Sequence, residues 1–149
     1  VDRVTTAAFA NKRTIFDRFA NYTGTGQALD GVQVEYSFPG SPTETLVYGG
    51  RITFEQTVDD ELVSGDDVQA LDVATIWVYV RISGEPTVRD AQIKAEVIGD
   101  TLGMILRKEP RMCGPNTHVR IAGGTGDHYE TDDGPIVHLA YRITATAYV

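Results

Sequence analysis

The stretch Leu71–Ile82, LDVATIWVYVRI, decides the fold. Apolar residues alternate at Ala74, Ile76, Val78, Val80 and Ile82, the period of two of an extended strand. The interleaved positions hold Leu71, Val73, Trp77 and Tyr79, so neither face reads as solvated. Such a strand is expected at the centre of a sheet, covered on both sides. The turn Ser83–Pro86 follows it, and then the longest helical pattern in the chain, Thr87–Lys108.

This helix has readable ends and two apolar strips. Thr87 with Asp90 three residues on resembles a capping box, Pro86 suits a helix start, and Pro110 forces the stop. Ala91, Ala95, Ile98, Leu102, Ile105 and Leu106 form the stripe expected to cover the sheet. Ile93, Val97 and Met104 fall nearly opposite. That second strip is either scattered surface apolars, a surface covered by the first helix, or a subunit contact. Gly99 and Gly103 lie beside the main stripe. Each costs ~1 kcal/mol relative to Ala in a helix interior, so close packing against another element is expected there.

Upstream, Val4–Tyr22 reads as an amphipathic helix with Asp2 as N-cap and Thr23–Gly24 as stop. Val4, Ala8, Ile15, Phe19 and Tyr22 share a stripe, while Lys12, Arg13, Asp17 and Arg18 face largely elsewhere. Phe9 and Phe16, on a flank, either widen the core face or touch a neighbour. Val32–Phe38 alternates as a half-buried antiparallel strand. Pro39–Thr43 breaks it, and Leu46–Gln56 resumes with Ile52 and Phe54 inward and a bulge signal at Gly49–Gly50.

Residues 57–70 read as an acidic loop carrying Asp59, Asp60, Glu61, Asp66 and Asp67, mobile until docked. Downstream of the second helix, His118–Ile121 is a short strand. Residues 122–134 read as a Gly-rich acidic loop with Asp127, Glu130, Asp132 and Asp133. Ile136–Val149 alternates for longer than the ~5–6 residues of a typical strand, so it either bends over the core or extends a neighbour's sheet. The whole, residues 1–149, is expected to be one α+β domain, a mainly antiparallel sheet of about five strands flanked by two helices.

With 149 residues, 42% of them hydrophobic, the chain can bury a core of its own. No apolar run approaches the ~20 residues of a membrane helix, no signal-like segment opens the chain, and Val1 is read as following an initiator Met that is removed or left out of the numbering. A net charge of −8, from 13 Lys and Arg against 21 Asp and Glu, argues against tight wrapping of nucleic acid. It is compatible with an acidic wall past which DNA slides.

The single cysteine, Cys113, fits a reducing compartment and reads as a bystander. Gly123-Gly124-Thr125-Gly126 lacks the Lys-Ser/Thr of a phosphate loop and reads as a turn. His118, His128 and His138 have no metal-ligand spacing, and the acids at 127, 130 and 132 do not match a Ca²⁺ loop. Asn21-Tyr22-Thr23 is formally a glycosylation sequon without a sign of secretion. No catalytic residue, cofactor or metal is expected.

Element order and spacing carry a resemblance. Gly31-Val32-Gln33-Val34-Glu35-Tyr36 and Val47-Tyr48-Gly49-Gly50-Arg51-Ile52 flank a Pro-containing turn, followed by a variable acidic stretch, the aromatic strand Ile76-Trp77-Val78-Tyr79-Val80, a helix and a terminal strand pair. Over nearly its whole length the chain resembles the tail terminator, or tail completion, proteins of long-tailed bacteriophages. The resemblance implies a non-enzymatic subunit of a sixfold ring at the neck of the virion, assembled in the host cytoplasm. Such a ring caps the tail tube, ends its polymerisation and meets the head connector or stopper, while DNA passes its lumen without specific binding and no membrane is involved. On that reading Ile93, Val97, Met104, Tyr141 and Tyr148 are expected at subunit interfaces. The acids of the two stretches, nine of the 21, are expected to line the lumen or to contact tube or connector. The alternatives are a head–tail connector or stopper, the tube protein itself, or a small enzyme or ligand-binding domain.

Overall fold

A computed structural model of the chain describes residues 7–64 and 67–148. The elements are α1 (Ala8–Ala20), β1 (Gln33–Glu35), β2 (Thr45–Ser64), β3 (Asp67–Ile82), α2 (Val88–Lys108), β4 (Thr117–Thr131) and β5 (Gly134–Tyr148). They form one five-stranded sheet in the order β1-β2-β3-β5-β4, and the class is α+β. β3 takes the central place, antiparallel to β2 on one side and to β5 on the other.

The two faces of β3 have different fates. Ala74, Ile76, Val78, Val80 and Ile82 are fully buried, in one core with Ile15 and Phe19 of α1 and the α2 stripe from Ala91 to Leu106. Both helices lie on this side, since the backbone N–H of Ala7, at the start of α1, donates to Asp72 Oδ2 on the same face (3.2 Å). Val73, Thr75, Trp77, Tyr79 and Arg81, on the other face, are only half-buried. The expected cover on both sides is therefore corrected: one layer of helices covers one face. Tyr and Trp rings tolerate half-burial because each combines an apolar body with a polar tip.

The α2 ends follow from local chemistry. Thr87 Oγ1 accepts from the Asp90 N–H at 3.1 Å, meeting one of the unpaired donors of the first turn. Arg107 and Lys108 sit in the last turn, where the helix dipole favours cations. At the end of α1 the Thr23 hydroxyl donates to the Ala20 carbonyl at 2.7 Å. Val4 and the N-cap residue Asp2 lie outside the described residues. Phe16 is buried edge-on to Phe19 and widens the core, whereas Phe9 is exposed.

Four further expectations need correction. The strand read over Val32–Phe38 shrinks to the three residues of β1, and it pairs parallel to β2, with Val34 opposite Val47. Tyr36 and Phe38 leave the sheet because their rings find other partners: Tyr36 lies under the Lys12 ammonium (4.1 Å) and Phe38 edge-on to Tyr48 (5.1 Å). Lys12 itself is buried, not turned outward. Of residues 57–70, read as a loop, 57–64 continue β2 and 67–70 open β3, with Asp59 opposite Gln69 and Ser64 opposite Asp67, while 65 and 66 lie outside the described residues. Residues 122–134 are the distal part of β4 and its turn into β5. Glycine and acid are poor strand formers in isolation, but a paired neighbour supplies the ladder.

β5 is hydrogen-bonded along both edges, to β3 from Leu71↔Tyr148 to Ile82↔Val137 and to β4 from Thr117↔Ala147 to Thr131↔Gly134. It cannot add to a neighbour's sheet, so that expectation also fails. Phe54, expected inward, stands opposite Ala74 on the helix side but is half-exposed. The Gly49–Gly50 signal does mark a register shift, between Gly49 and Ile52.

Candidate assembly surfaces

The inner stripe of α2 is saturated: Ala91, Ala95, Ile98, Leu102, Ile105 and Leu106 are all buried. Ile93, Val97 and Met104 point the other way and are 50%, 59% and 44% exposed, so α1 does not cover them. Around them stand Glu96 and Asp100, both exposed. Among the described residues nothing packs over this apolar strip, on a helix that has no internal use for it.

Tyr141 behaves differently from the expected interface residue. It is half-buried, packs against the core, and its hydroxyl lies where a Cβ on Gly99 would have to go. Burial and the nearby Asp100 and Glu96 carboxylates push its phenol up from the ordinary range. Tyr148 pairs with Leu71 in the ladder, and its side chain lies outside the described residues.

The acids separate into two hairpin ends. Asp66 lies outside the described residues, as do the side chains of Asp59, Asp60, Glu61 and Asp67. Asp127 stands opposite His138 and Glu130 opposite Pro135, with Asp132 and Asp133 in the turn, and all four are exposed. The Thr131 hydroxyl ties that turn, donating to the Gly134 carbonyl (2.8 Å) and accepting from the Asp133 N–H (3.2 Å). Among the described residues no group of three or more His, Cys, Asp or Glu is placed to hold a metal ion. No helix there is long and apolar enough to cross a membrane.

The open face of the sheet is a surface not singled out from the sequence. Tyr48 stacks on Tyr79 (5.1 Å, 28°) and meets His138 edge-on (6.4 Å), and Tyr129 meets His138 from the other side (5.9 Å). Beside this cluster lies a shallow concavity of about 400 Å³, lined by Arg51, Trp77, Tyr79, Asp127, Tyr129 and His138 among others. The Arg51 guanidinium sits 5.4 Å from the Trp77 ring, within cation–π range. His138 is held below its ordinary pKa by burial and by Arg81, with Asp127 opposing, and its Nε2 is buried without a hydrogen-bond partner. The alternation of Trp77 and Tyr79 with the core residues was the available signal for this face. What the sequence hides is that, among the described residues, no helix lies over it.

The Gly49–Gly50 bulge is locked from the helical side. Lys12 Nζ donates to the Gly50 carbonyl at 2.8 Å, and burial lowers its pKa. A Cβ on Gly49 would overlap the Tyr36 carbonyl, and one on Gly50 the Tyr79 ring. The bulge re-aims the strand so that Arg51 reaches Trp77. Cys113 is half-buried, its Sγ 3.7 Å from the Asn11 carbonyl, and burial pushes its thiol up to about 11. That is the setting of an inert thiol, not of a nucleophile.

No protein-family model matches this chain, and a search of curated proteins finds no match for it.

Proposed function

We propose that this chain is a structural subunit of a long-tailed bacteriophage, assembling into a ring that caps the tail tube, ends its polymerisation and joins the tail to the head connector. The observation that carries the reading is the α2 strip of Ile93, Val97 and Met104, exposed on a helix whose opposite side is already filled by the sheet. A subunit that must meet copies of itself needs apolar surface left over after folding. The acidic turn Asp127–Asp133 adds a phosphate-repelling end, suited to a channel through which DNA slides without binding. Catalysis has no part in this account.

A second reading draws on the strands. Far more residues lie in strands than in helices, and the β2–β3 hairpin outruns β5. That bias favours the tube protein as runner-up. A head–tail connector or stopper, and then a ligand-binding domain using the Trp77 concavity, stand behind it.

Electron microscopy of particles from a phage lacking this gene separates these readings. Overlong tubes and tails unable to join filled heads are expected of a terminator. Absence of tubes would mean the tube protein, and unattached tails of normal length a connector. Wholly normal virions would overturn a virion role.

A further inference from the structure

We propose that the outer edge of β4, from Gly123 to Thr131, takes an added β-strand from a partner protein, an extended segment rich in lysine or arginine. The inference goes beyond the reading as a virion subunit and does not depend on it.

The backbone supplies the site. β4 ends the sheet, with β5 on one side and, among the described residues, no strand on the other. In an antiparallel strand, alternate residues turn their N–H and C=O to opposite sides. Val119 fixes the phase, because its N–H points away from β5 and donates to the Pro110 carbonyl at 3.0 Å. Val119 faces Ala145, and further along Gly124, Gly126 and His128 face Tyr141, Leu139 and Val137. Carried through that register, the phase turns the backbone groups of Gly124, Gly126 and His128 outward. Pro110 and the bulge between Ile121 and Gly123 close the edge at its start. Beyond Val119 no backbone hydrogen bond leaves this edge among the described residues. Gly123, Gly124 and Gly126 present no side chain to an incoming strand, and no lysine or proline blunts the stretch. An added strand would gain its affinity from these main-chain groups and its specificity from the side chains beside them.

Those side chains choose the occupant. Asp127 and Glu130 are exposed on the strand, as are Asp132 and Asp133 in the turn that follows. On the α2 side a concavity of about 270 Å³ adjoins the edge, walled by Val137 and Leu139, with Gly126 and His128 on the strand and Gln92 and Glu96 on the helix. A side chain of the added strand can lay an aliphatic stem on Val137 and Leu139 and set its cationic head beside Glu96. Arg107, Arg120 and Arg142 gather at the closed end, around Ile121 and Gly123, and none of them lines the concavity. Arg89, a turn before Gln92 on α2, does not line it either. Another copy of this chain is a poor occupant. Two β4 edges paired about Gly126 would bring Asp127 of both chains together. β2, whose outer side runs past its short β1 partner, carries Asp59, Asp60 and Glu61. Like charges across a strand pair destabilise it.

The test measures binding of a short synthetic peptide alternating lysine and valine to the full chain, beside its glutamate–valine counterpart. The lysine peptide is expected to bind and to slow hydrogen exchange at the Gly124, Gly126 and His128 amides, and the glutamate peptide to do neither. N-methylation of the central peptide amides removes main-chain donors while the charge stays, and is expected to weaken binding on the order of tenfold or more. His128→Pro deletes an outward N–H without touching the ladder to β5, and is expected to block binding in a chain that urea unfolding shows to be folded. Glu96→Lys is expected to weaken binding on the order of tenfold. Equal binding of the methylated peptide, or unchanged exchange at the three amides, would mean attraction by charge alone and overturn the proposal. A lysine peptide that does not bind overturns it as well.

Discussion

The hydroxyl of Tyr141 on β5 occupies the space that a side chain at Gly99 of α2 would need. Helix and sheet approach closely at this point only because the helix lacks a Cβ there. Gly99→Ala is therefore expected to destabilise the protein by about 1–3 kcal/mol through overpacking, despite the ~1 kcal/mol gain in helix propensity. Tyr141→Phe, which removes the hydroxyl but leaves the ring carbon Cζ 2.6 Å from that position, should recover only part of that loss. Urea unfolding of the two single variants and the double variant measures the coupling.

Gly103 makes the opposite prediction. A Cβ there would meet the flexible end of Arg107 at 3.2 Å and Ile121 Cδ1 at 3.7 Å. Neither is a wall. Gly103→Ala is expected to stabilise by about 0.5–1 kcal/mol, read from the same unfolding curves.

Lys12 joins α1 to the β2 bulge through the Gly50 carbonyl. Lys12→Met is expected to cost about 1–3 kcal/mol, because a part-buried acceptor loses its donor. The pH dependence has a definite sign. Burial lowers the folded pKa below the ordinary 10.5, so the unfolded chain binds the proton more tightly. The stability of wild type relative to Lys12→Met should thus rise with pH through the window below 10.5 and level off above it. Denaturation midpoints across alkaline pH decide this.

His138 titrates on the acid side. Its folded pKa lies below the ordinary 6.5, so its contribution is complete above 6.5 and is lost as pH falls through the folded value. Wild type is expected to lose stability relative to His138→Gln over that interval. Parallel melting curves from neutral to mildly acid pH would show it. Equal acid sensitivity would mean that imidazole burial carries no weight.

Cys113 should be slow to react. With its thiol raised from 9.0 to about 11, the thiolate fraction at pH 8 falls on the order of 100-fold, and alkylation with it. Unfolding in urea should restore the rate of a free cysteine.

The two helices, the central place of β3, the α2 cap and stripe, and the close approach at Gly99 were legible because each is written in one segment's periodicity. Pairing was less so. A fragment such as Ala122–Gly134 looks like a loop until β5 supplies its ladder, and Val32–Phe38 alternates well yet yields two rings to partners across the chain. Lys12 faces outward on a helical wheel drawn alone, and only the bulge at Gly50 explains its burial. Of the candidate surfaces, Ile93, Val97 and Met104 were readable because two apolar strips on one helix exceed the needs of one sheet. The arginine-framed face was not, since periodicity reports an apolar side without saying whether anything covers it.

The central claim is that this chain assembles with copies of itself through surfaces left unpartnered by folding. The most direct measurement is the native mass of the purified protein over a range of concentration, beside Val97→Glu. The account predicts a discrete closed species, six copies of a 16.3-kDa chain, which Val97→Glu disperses to monomers while the fold is kept. A wild-type monomer at every concentration, or an oligomer indifferent to Val97→Glu, would contradict it.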